Sequence, residues 1–220
     1  MALSLAAELS SLTCSVISLR GWRTTALVAC WSATSIAVWA WTVAYGTTTA
    51  QAAQTRFANP APIVGHVATE RPTLYLFMHP RCPCTRATIV QLDRVFTATG
   101  LEKAELPEVI VVVTIPDDAT ENDGAWRESD TVRLASTLPN AVVWYDRGGV
   151  KARSFGAQAS GSVALYATGG KLLFAGGVTV SRGHEGDSLG AEQLLQQIQN
   201  PNEQVPVTAP ALGCRLCLGE

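Results

Sequence analysis

The segment VIVVVTI, residues 109–115, constrains the fold more than any other part of the chain. All seven residues are β-branched, and β-branched side chains favour strands over helices. A strand with so little polar surface must lie inside a sheet whose two faces are both covered. The segment therefore predicts a layered α/β domain in which residues 109–115 form an inner strand.

The pattern of the surrounding residues predicts the other elements of this domain. Apolar residues recur at three- to four-residue spacing after Cys84 and stop at Gly100, which predicts an amphipathic helix. The pair Gly169-Gly170 predicts a tight hairpin. We expect an α/β fold, a mixed sheet flanked by helices. Its predicted strands are 73–78, 109–115, 141–145, 162–168 and 171–177, and its later helices span 131–137 and run from Asp187 or Ser188 to Asn200.

A second stretch, Thr24–Tyr45, contains no charged residue and is long enough to cross a bilayer, which takes about 20 apolar residues. Arg20 and Arg23 precede it, whereas the next charged residue is Arg56. The positive-inside rule therefore predicts an inner (cytoplasmic) membrane protein with one transmembrane helix, its N-terminus in the cytoplasm and its domain in the periplasm. A cleaved signal peptide is the alternative, because Ala50-Gln51-Ala52 resembles a cleavage site.

These features divide the chain into five predicted segments. They are a cytoplasmic segment (1–23), a transmembrane helix (24–45), a tether of small and polar residues (46–70), the α/β domain (71–200) and a flexible tail (201–220). The net charge of −2 offers no basic surface of the kind that nucleic-acid binding requires, so we expect no nucleic-acid partner.

Four cysteines follow the predicted anchor in two close pairs, Cys82-Pro83-Cys84 and Cys214-Arg215-Leu216-Cys217. Outside the cytoplasm closely spaced thiols tend to oxidise, which indicates disulfide or redox pairs. A disulfide between Cys82 and Cys84 would close almost no loop and would stabilise the fold little. The first pair therefore favours a redox role over a structural one.

The position of Cys82 predicts a reactive thiol. We expect Cys82 to be the N-cap of the helix and open to solvent, where free backbone N–H groups and the helix dipole lower the pKa of a thiol. The charges of Arg81 and of a protonated His79 would lower the pKa of Cys82 further. Pro83 removes one backbone donor and stiffens the loop between the sulfurs.

The order of strand, cysteine-bearing loop, helix, hairpin and closing helix resembles the thioredoxin-like superfamily over about residues 60–200. DRGGVKARSFGA (146–157) resembles a segment of the membrane-tethered TlpA type, and HPRCPCTRA with GGVTVSRGHEGD is similar to bacterial proteins labelled RedB. The resemblance implies a thioredoxin-like fold and a thiol–disulfide oxidoreductase without a cofactor. Its partners would be protein thiols and disulfides, with Cys82 as the attacking thiolate and Cys84 as the resolving thiol.

Two features depart from the pattern of that superfamily. Its cysteines are usually spaced Cys-x-x-Cys, whereas one residue separates Cys82 from Cys84. A second alignment places Thr85 where the usual second cysteine stands, so that Cys82 would act with a distant partner. The superfamily also has a cis-proline before the hairpin, where this chain has Ser160-Gly161.

The tail pair and the histidines leave further functions open. The linker 200–213 could extend over about 45 Å, at about 3.3 Å per residue, so Cys214 and Cys217 are candidates for a disulfide relay to the first pair. A copper-delivery protein of this fold would instead bind Cu(I) with Cys82, Cys84, His79 and His184, because thiolate and imidazole suit that ion. A catalytically inactive binding module is the third interpretation.

Overall fold

The structure is a computed structural model that describes residues 2–47, 71–117, 124–202 and 205–216. The chain divides into two compact units, Met1–Gly46 and Thr47–Glu220. The first unit is a single helix, α1 (Ala2–Thr47), whose part Gly21–Thr47 is apolar and long enough to cross a membrane, with a mean hydropathy of 1.5. A signal sequence meets the same requirement of length and composition. The predicted tether lies largely outside the described residues.

The second unit is built on a six-stranded mixed sheet with the order β3-β2-β1-β4-β5-β6. The strands β1, β2 and β3 are parallel, β4 is antiparallel to β1 and to β5, and β6 is parallel to β5. Their bounds are β1 (Thr73–Met78), β2 (Glu108–Ile115), β3 (Ala141–Arg147), β4 (Ser162–Tyr166), β5 (Leu172–Gly176) and β6 (Val207–Thr208). The prediction of an inner strand at 109–115 is confirmed, because β2 lies between β1 and β3 with both faces buried.

Helices cover both faces of this sheet. Apolar residues of α2, α4 and α6 pack on one face, and those of α5 pack on the other. Over the described residues of this unit the helices are α2 (Cys84–Thr99), α3 (Gly124–Arg127), α4 (Asp130–Ser136), α5 (Val150–Phe155) and α6 (Leu189–Gln199). The result is a mixed α/β sheet flanked by helices, as the sequence predicts.

The ends of the two longest helices of this unit follow local sequence signals. Gly100 ends α2 in the left-handed conformation, with φ of 69°, which glycine adopts without the strain of a side chain. The Ser188 hydroxyl accepts a hydrogen bond from the backbone N–H of Ala191 and so caps the start of α6. Both ends agree with the predicted positions.

The tail differs from its predicted flexibility over the residues that the structure describes. Residues 207–208 form β6, and Arg215 forms an antiparallel bridge with Ala159. The tail approaches the domain so closely that a Cβ at Gly177 would lie 2.7 Å from the carbonyl oxygen of Pro210. This docking depends on backbone pairing and glycine contacts, which leave no hydrophobic periodicity in the sequence. Cys217 lies outside the described residues.

Candidate active site

The first part of the site is the turn that joins β1 to α2. The backbone N–H of Cys82 donates to the carbonyl of His79 (3.1 Å), and the N–H of Thr85 donates to the carbonyl of Cys82 (3.2 Å). Pro83 is the N-cap, with φ of −66°, and the helix begins at Cys84. The predicted N-cap at Cys82 is therefore wrong by one residue, because the fixed φ of proline suits the helix entry itself.

Three cysteine sulfurs meet at this turn. The Sγ atoms of Cys82, Cys84 and Cys214 all lie within 4.8 Å of one another, and the three thiols are free. The sequence predicts the first two as a pair and Cys214 as a possible relay to them. The docked tail brings in the third from a segment more than a hundred positions away.

Cys82 is buried, with 3 % of its surface exposed, so the expectation that it is open to solvent is wrong. Its sulfur nevertheless has polar neighbours. Burial acts to raise the pKa of Cys82, but hydrogen bonds from Thr85, Cys214 and Ser160 more than offset this effect and lower the pKa below that of an ordinary thiol. The contribution of Cys214 includes its backbone N–H as well as its thiol.

Two buried hydroxyl groups connect Cys82 to the loop preceding β4. The backbone N–H of His79 donates to Ser160 Oγ (2.8 Å), which lies 2.7 Å from Thr85 Oγ1. Each hydroxyl has a single hydrogen. Either hydroxyl can donate to the other, and the one that does so cannot donate to the Cys82 sulfur at the same time.

The position of Thr85 agrees with the second alignment from the sequence. Residues three apart in a helical turn lie on the same side, whereas residues two apart do not face each other. In this turn Thr85 follows Cys82 at the three-residue spacing, while the Cys84 sulfur also lies within 4.8 Å of Cys82 Sγ. Thr85 thus contacts Cys82 from the place that a Cys-x-x-Cys motif gives its second cysteine.

The other two thiols hold their protons more strongly than Cys82. The pKa of Cys84 is raised by burial and by the charge of Cys82, an effect that the positive charge of Arg182 partly opposes. Burial together with the hydrogen bond and charge of Cys82 raises the pKa of Cys214 to about 12. Of the three thiols, Cys82 therefore loses its proton most readily, and the other two are neighbouring donors.

Arg81 and His79 do not have the roles that the sequence predicts for them. The Arg81 guanidinium stacks 3.8 Å from the centre of the Trp126 ring, and the His79 ring contacts the same indole edge-to-face. Burial, and then the charge of Arg81, lower the pKa of His79, so this imidazole is neutral at pH 7 and the expectation of a protonated His79 is wrong.

The histidines also lie outside the sulfur cluster. Among the described residues, the potential ligand atoms within 4.8 Å of one another are the three sulfurs and include neither His79 nor His184. His79 Nδ1 accepts a hydrogen bond from the backbone N–H of Arg81 (3.2 Å), and His184 Nδ1 lies 3.0 Å from the carbonyl of Arg182.

Ser160 also belongs to the site. In the sequence its position stood out only because the superfamily has a cis-proline there and this chain does not. The Ser160 hydroxyl accepts a hydrogen bond from the backbone N–H of His79 and contacts the Thr85 hydroxyl. The backbone N–H of Ser160 donates to the carbonyl of Cys214 (2.8 Å). The signal available in the sequence was the position before the hairpin where the superfamily has its cis-proline. No cis peptide bond occurs among the residues that the structure describes.

Comparisons with known proteins give likenesses of structure. No protein-family model matches the chain, and no curated protein is significantly similar in sequence. A hypothetical protein from Sinorhizobium meliloti 1021 is similar, with 17 % identity and a TM-score of 0.48 over 69 % of this chain and 82 % of that one. An uncharacterized conserved protein from Geobacillus kaustophilus has 16 % identity and a TM-score of 0.49 over 68 % and 78 %.

A third likeness is to a secreted disulfide oxidoreductase from Mycobacterium tuberculosis that is homologous to DsbE of E. coli. The identity is 16 % and the TM-score 0.37, over 58 % of this chain and 80 % of that one. What the present site can do chemically follows from its own sulfurs and hydrogen bonds.

Proposed function

We propose that this chain is a thiol–disulfide exchange protein in which Cys82 is the attacking thiolate. The observation that carries the proposal is the grouping of three free sulfurs within 4.8 Å, with the pKa lowered at Cys82 and raised at the other two. A thiolate is the species that attacks a disulfide, and a neighbouring thiol can then resolve the product.

The exchange would proceed in two balanced steps. The Cys82 thiolate attacks one sulfur of a substrate disulfide, which forms a mixed disulfide and releases the other substrate sulfur as a thiolate. Cys84 or Cys214 then gives up its proton and attacks Cys82 Sγ, which releases the second substrate sulfur. Two protein thiols are oxidised and one substrate disulfide is reduced, and the same steps run backwards if the partner is a stronger reductant.

The test is the reduction of a fluorescent peptide disulfide by the full chain in detergent, with a dithiol as the final reductant. Cys82→Ser should lower the rate at least about a hundredfold, because the attacking atom is lost. Cys30→Ser is the matched control, since Cys30 is an exposed thiol in the other unit, and its rate should be unchanged. Equal rates for both variants and the unsubstituted chain would overturn the proposal, and no turnover at all would favour an inactive binding module.

The anchor interpretation adds a location to this proposal. The apolar part of α1 would hold the chain in the inner membrane, with its N-terminus in the cytoplasm and the cysteine site in the periplasm, where disulfides form. The intact mass of the protein extracted from membranes should include residues 1–52. A mass that corresponds to a chain starting after Ala52 would mean that the helix is a cleaved signal sequence.

Copper binding is the second candidate, and the same sulfur cluster favours it. Three thiols are a donor set that suits Cu(I). In this set Cys214 takes the place of His79 and His184, the two histidines of the sequence-based interpretation. Binding would displace the protons of Cys84 and Cys214. Stoichiometric copper in protein purified under reducing conditions, lost in Cys214→Ser, would support copper delivery. Metal-free protein that turns over disulfides would exclude it as the main role.

A further inference from the structure

Residues Gly213–Leu216 lie against the segment before β4 and pair with it through one isolated antiparallel β-bridge. The backbone N–H of Ser160 donates to the carbonyl of Cys214 (2.8 Å), and that of Leu216 donates to the carbonyl of Gln158 (2.9 Å). Between these bonds Arg215 pairs with Ala159 in antiparallel register. An extended peptide that adds to an exposed strand edge is bound in this way, with main-chain hydrogen bonds that require no particular sequence.

The pairing places a cysteine directly at the attacking sulfur. The Sγ atom of Cys214 lies within 4.8 Å of Cys82 Sγ, so the paired segment presents its sulfur at the atom that reacts. A peptide substrate of the proposed exchange needs the same two features, an extended backbone and a cysteine at Cys82. The tail therefore has the chemistry of a substrate.

Two further contacts show that this docking is built into the chain. A Cβ on Gly213 would collide with the carbonyl oxygen of Ser160, so the close approach depends on glycine at this position. Leu216 is 3 % exposed and belongs to the apolar cluster on the face of the sheet that carries α5. The glycine lets the strand approach, and the leucine anchors its end.

The spacing of the cysteines favours Cys214 over Cys84 as the partner of Cys82. Pro83 has helical dihedral angles and Cys84 is the first residue of α2, so a disulfide between Cys82 and Cys84, whose sulfurs lie within 4.8 Å, would have to form across a single residue at the helix entry. A disulfide needs Cβ atoms that point towards each other at about 3.8 Å. Cys214 comes from a separate strand, whose position is not tied to this turn.

We propose that Gly213–Leu216 is an intramolecular mimic of the substrate, which closes the site by forming a Cys82–Cys214 disulfide and is displaced by an extended, cysteine-bearing peptide. This inference rests on the proposed exchange function. When Cys82 has attacked a substrate disulfide, Cys214 attacks Cys82 Sγ, releases the substrate thiolate and re-forms the docked strand. A dithiol reductant then returns both sulfurs to thiols, is itself oxidised to a disulfide, and reopens the edge.

The first test locates the disulfide in the full chain after oxidation with oxidised glutathione and alkylation of the remaining thiols. Trypsin separates the three relevant pieces, residues 82–86, 183–215 and 216–220, so that Cys214 and Cys217 fall on different peptides. We expect 82–86 joined to 183–215, retained in Cys84→Ser and absent in Cys82→Ser. An internal disulfide in 82–86, or one between 183–215 and 216–220, would overturn the substrate mimic.

The second test measures access to Cys82 by its rate of alkylation with iodoacetamide. Gly213→Ala should raise this rate, and the rate of peptide-disulfide reduction, by about tenfold, the effect expected of overpacking at the strand. Gly169→Ala is the matched control, because a Cβ there meets nothing within 4 Å, and it should leave both rates unchanged. Equal rates for the two alanine variants would overturn the proposed displacement.

The failures of the two proposals are distinguishable. If the disulfide joins Cys82 to Cys84 while turnover still depends on Cys82, the exchange function stands and the substrate mimic is wrong. If neither the unsubstituted chain nor Gly213→Ala shows turnover that Cys82→Ser abolishes, the exchange function itself is wrong. The peptide map of the unsubstituted chain decides the disulfide even if Gly213→Ala does not fold.

Discussion

Cys82 and Cys214 reach the same site on segments that are held in different ways. The turn with Cys82 lies between β1, which is buried throughout, and α2, whose apolar face packs in the main core. The segment with Cys214 is held mainly by backbone pairing at its two ends and by the side chain of Leu216. The segment with Cys82 is fixed by the core, whereas the segment with Cys214 is held by backbone pairing and one buried leucine.

This difference matches what thiol exchange demands of its two sulfurs. The hydrogen bonds from Thr85 and Ser160 stay with the attacking sulfur when the segment with Cys214 moves, and they lower its pKa. The partner must approach, form a bond and leave, which a segment held by one β-bridge and one buried leucine can do by local opening. The following variants test each side of this contrast.

The largest effect is expected from loosening the tail. Leu216→Ala removes the buried side chain that anchors the tail. Such changes cost about 2–5 kcal/mol, and here this loss would weaken the docking of the tail. Alkylation of Cys82 should therefore accelerate by at least about 30-fold, the ratio that corresponds to about 2 kcal/mol.

The control for this variant is Leu189→Ala, since Leu189 is 67 % exposed and contributes no comparable anchor. Its alkylation rate should equal that of the unsubstituted chain. If Leu216→Ala behaves like this control, the tail does not limit access to Cys82, and the contrast between a fixed and a detachable segment fails.

The next variant tests the segment that carries Cys82, which the core holds in place. Thr85→Val keeps the shape of the buried side chain but removes its hydrogen bond to the Cys82 thiolate. Hydrogen bonds to charged groups contribute about 1.5–3 kcal/mol, so the pKa of Cys82 should rise by about one to two units. The pH dependence of Cys82 alkylation measures this shift.

Thr97→Val is the matched control, because Thr97 is an exposed residue of the same helix whose hydroxyl donates to the carbonyl of Asp93. We expect no shift of the pKa of Cys82 in this variant. An equal shift in both variants would assign the effect to the helix as a whole and not to the hydroxyl beside the sulfur.

The sequence predicted the parts of the fold that carry a strong local pattern. The β-branched run 109–115 specified an inner strand because no other element can bury it, and the glycine at position 100 specified where α2 ends. β6 was missed, since a two-residue strand has no periodicity and depends on pairing with β5. α5 was missed because six residues after a glycine turn look like part of that turn.

The site was predictable to the extent that it is local. The nucleophile Cys82 and the neighbouring Thr85 could be read from one turn of sequence, but the docking of Cys214 depends on glycine contacts between distant segments. The expected effect of Arg81 and His79 on Cys82 failed as a guide because the Arg81 guanidinium stacks on Trp126 and burial lowers the pKa of His79. Sequence position alone contains neither the stacking nor the burial.

A smaller effect is expected at Ser160, which acts on Cys82 partly through Thr85. Ser160→Ala should raise the pKa of Cys82 by about half a unit to one unit, the shift that corresponds to a net hydrogen bond of about 0.5–1.5 kcal/mol. The same pH profile of alkylation measures it. Ser154→Ala removes an exposed hydroxyl that donates to the carbonyl of Lys151, and it should leave the profile unchanged.

The smallest effect is expected at Arg81, where the sequence predicted a large one. The main influences on the pKa of Cys82 are burial and hydrogen bonds, while the Arg81 guanidinium stacks on Trp126. Arg81→Met should therefore leave the pKa of Cys82 unchanged but lower the free energy of unfolding in urea by about 0.5–1 kcal/mol, the usual contribution of an exposed cation–π contact. A rise of a full unit in the pKa of Cys82 would instead mean that a nearby positive charge, and not the hydrogen bonds of the fixed segment, stabilises the thiolate.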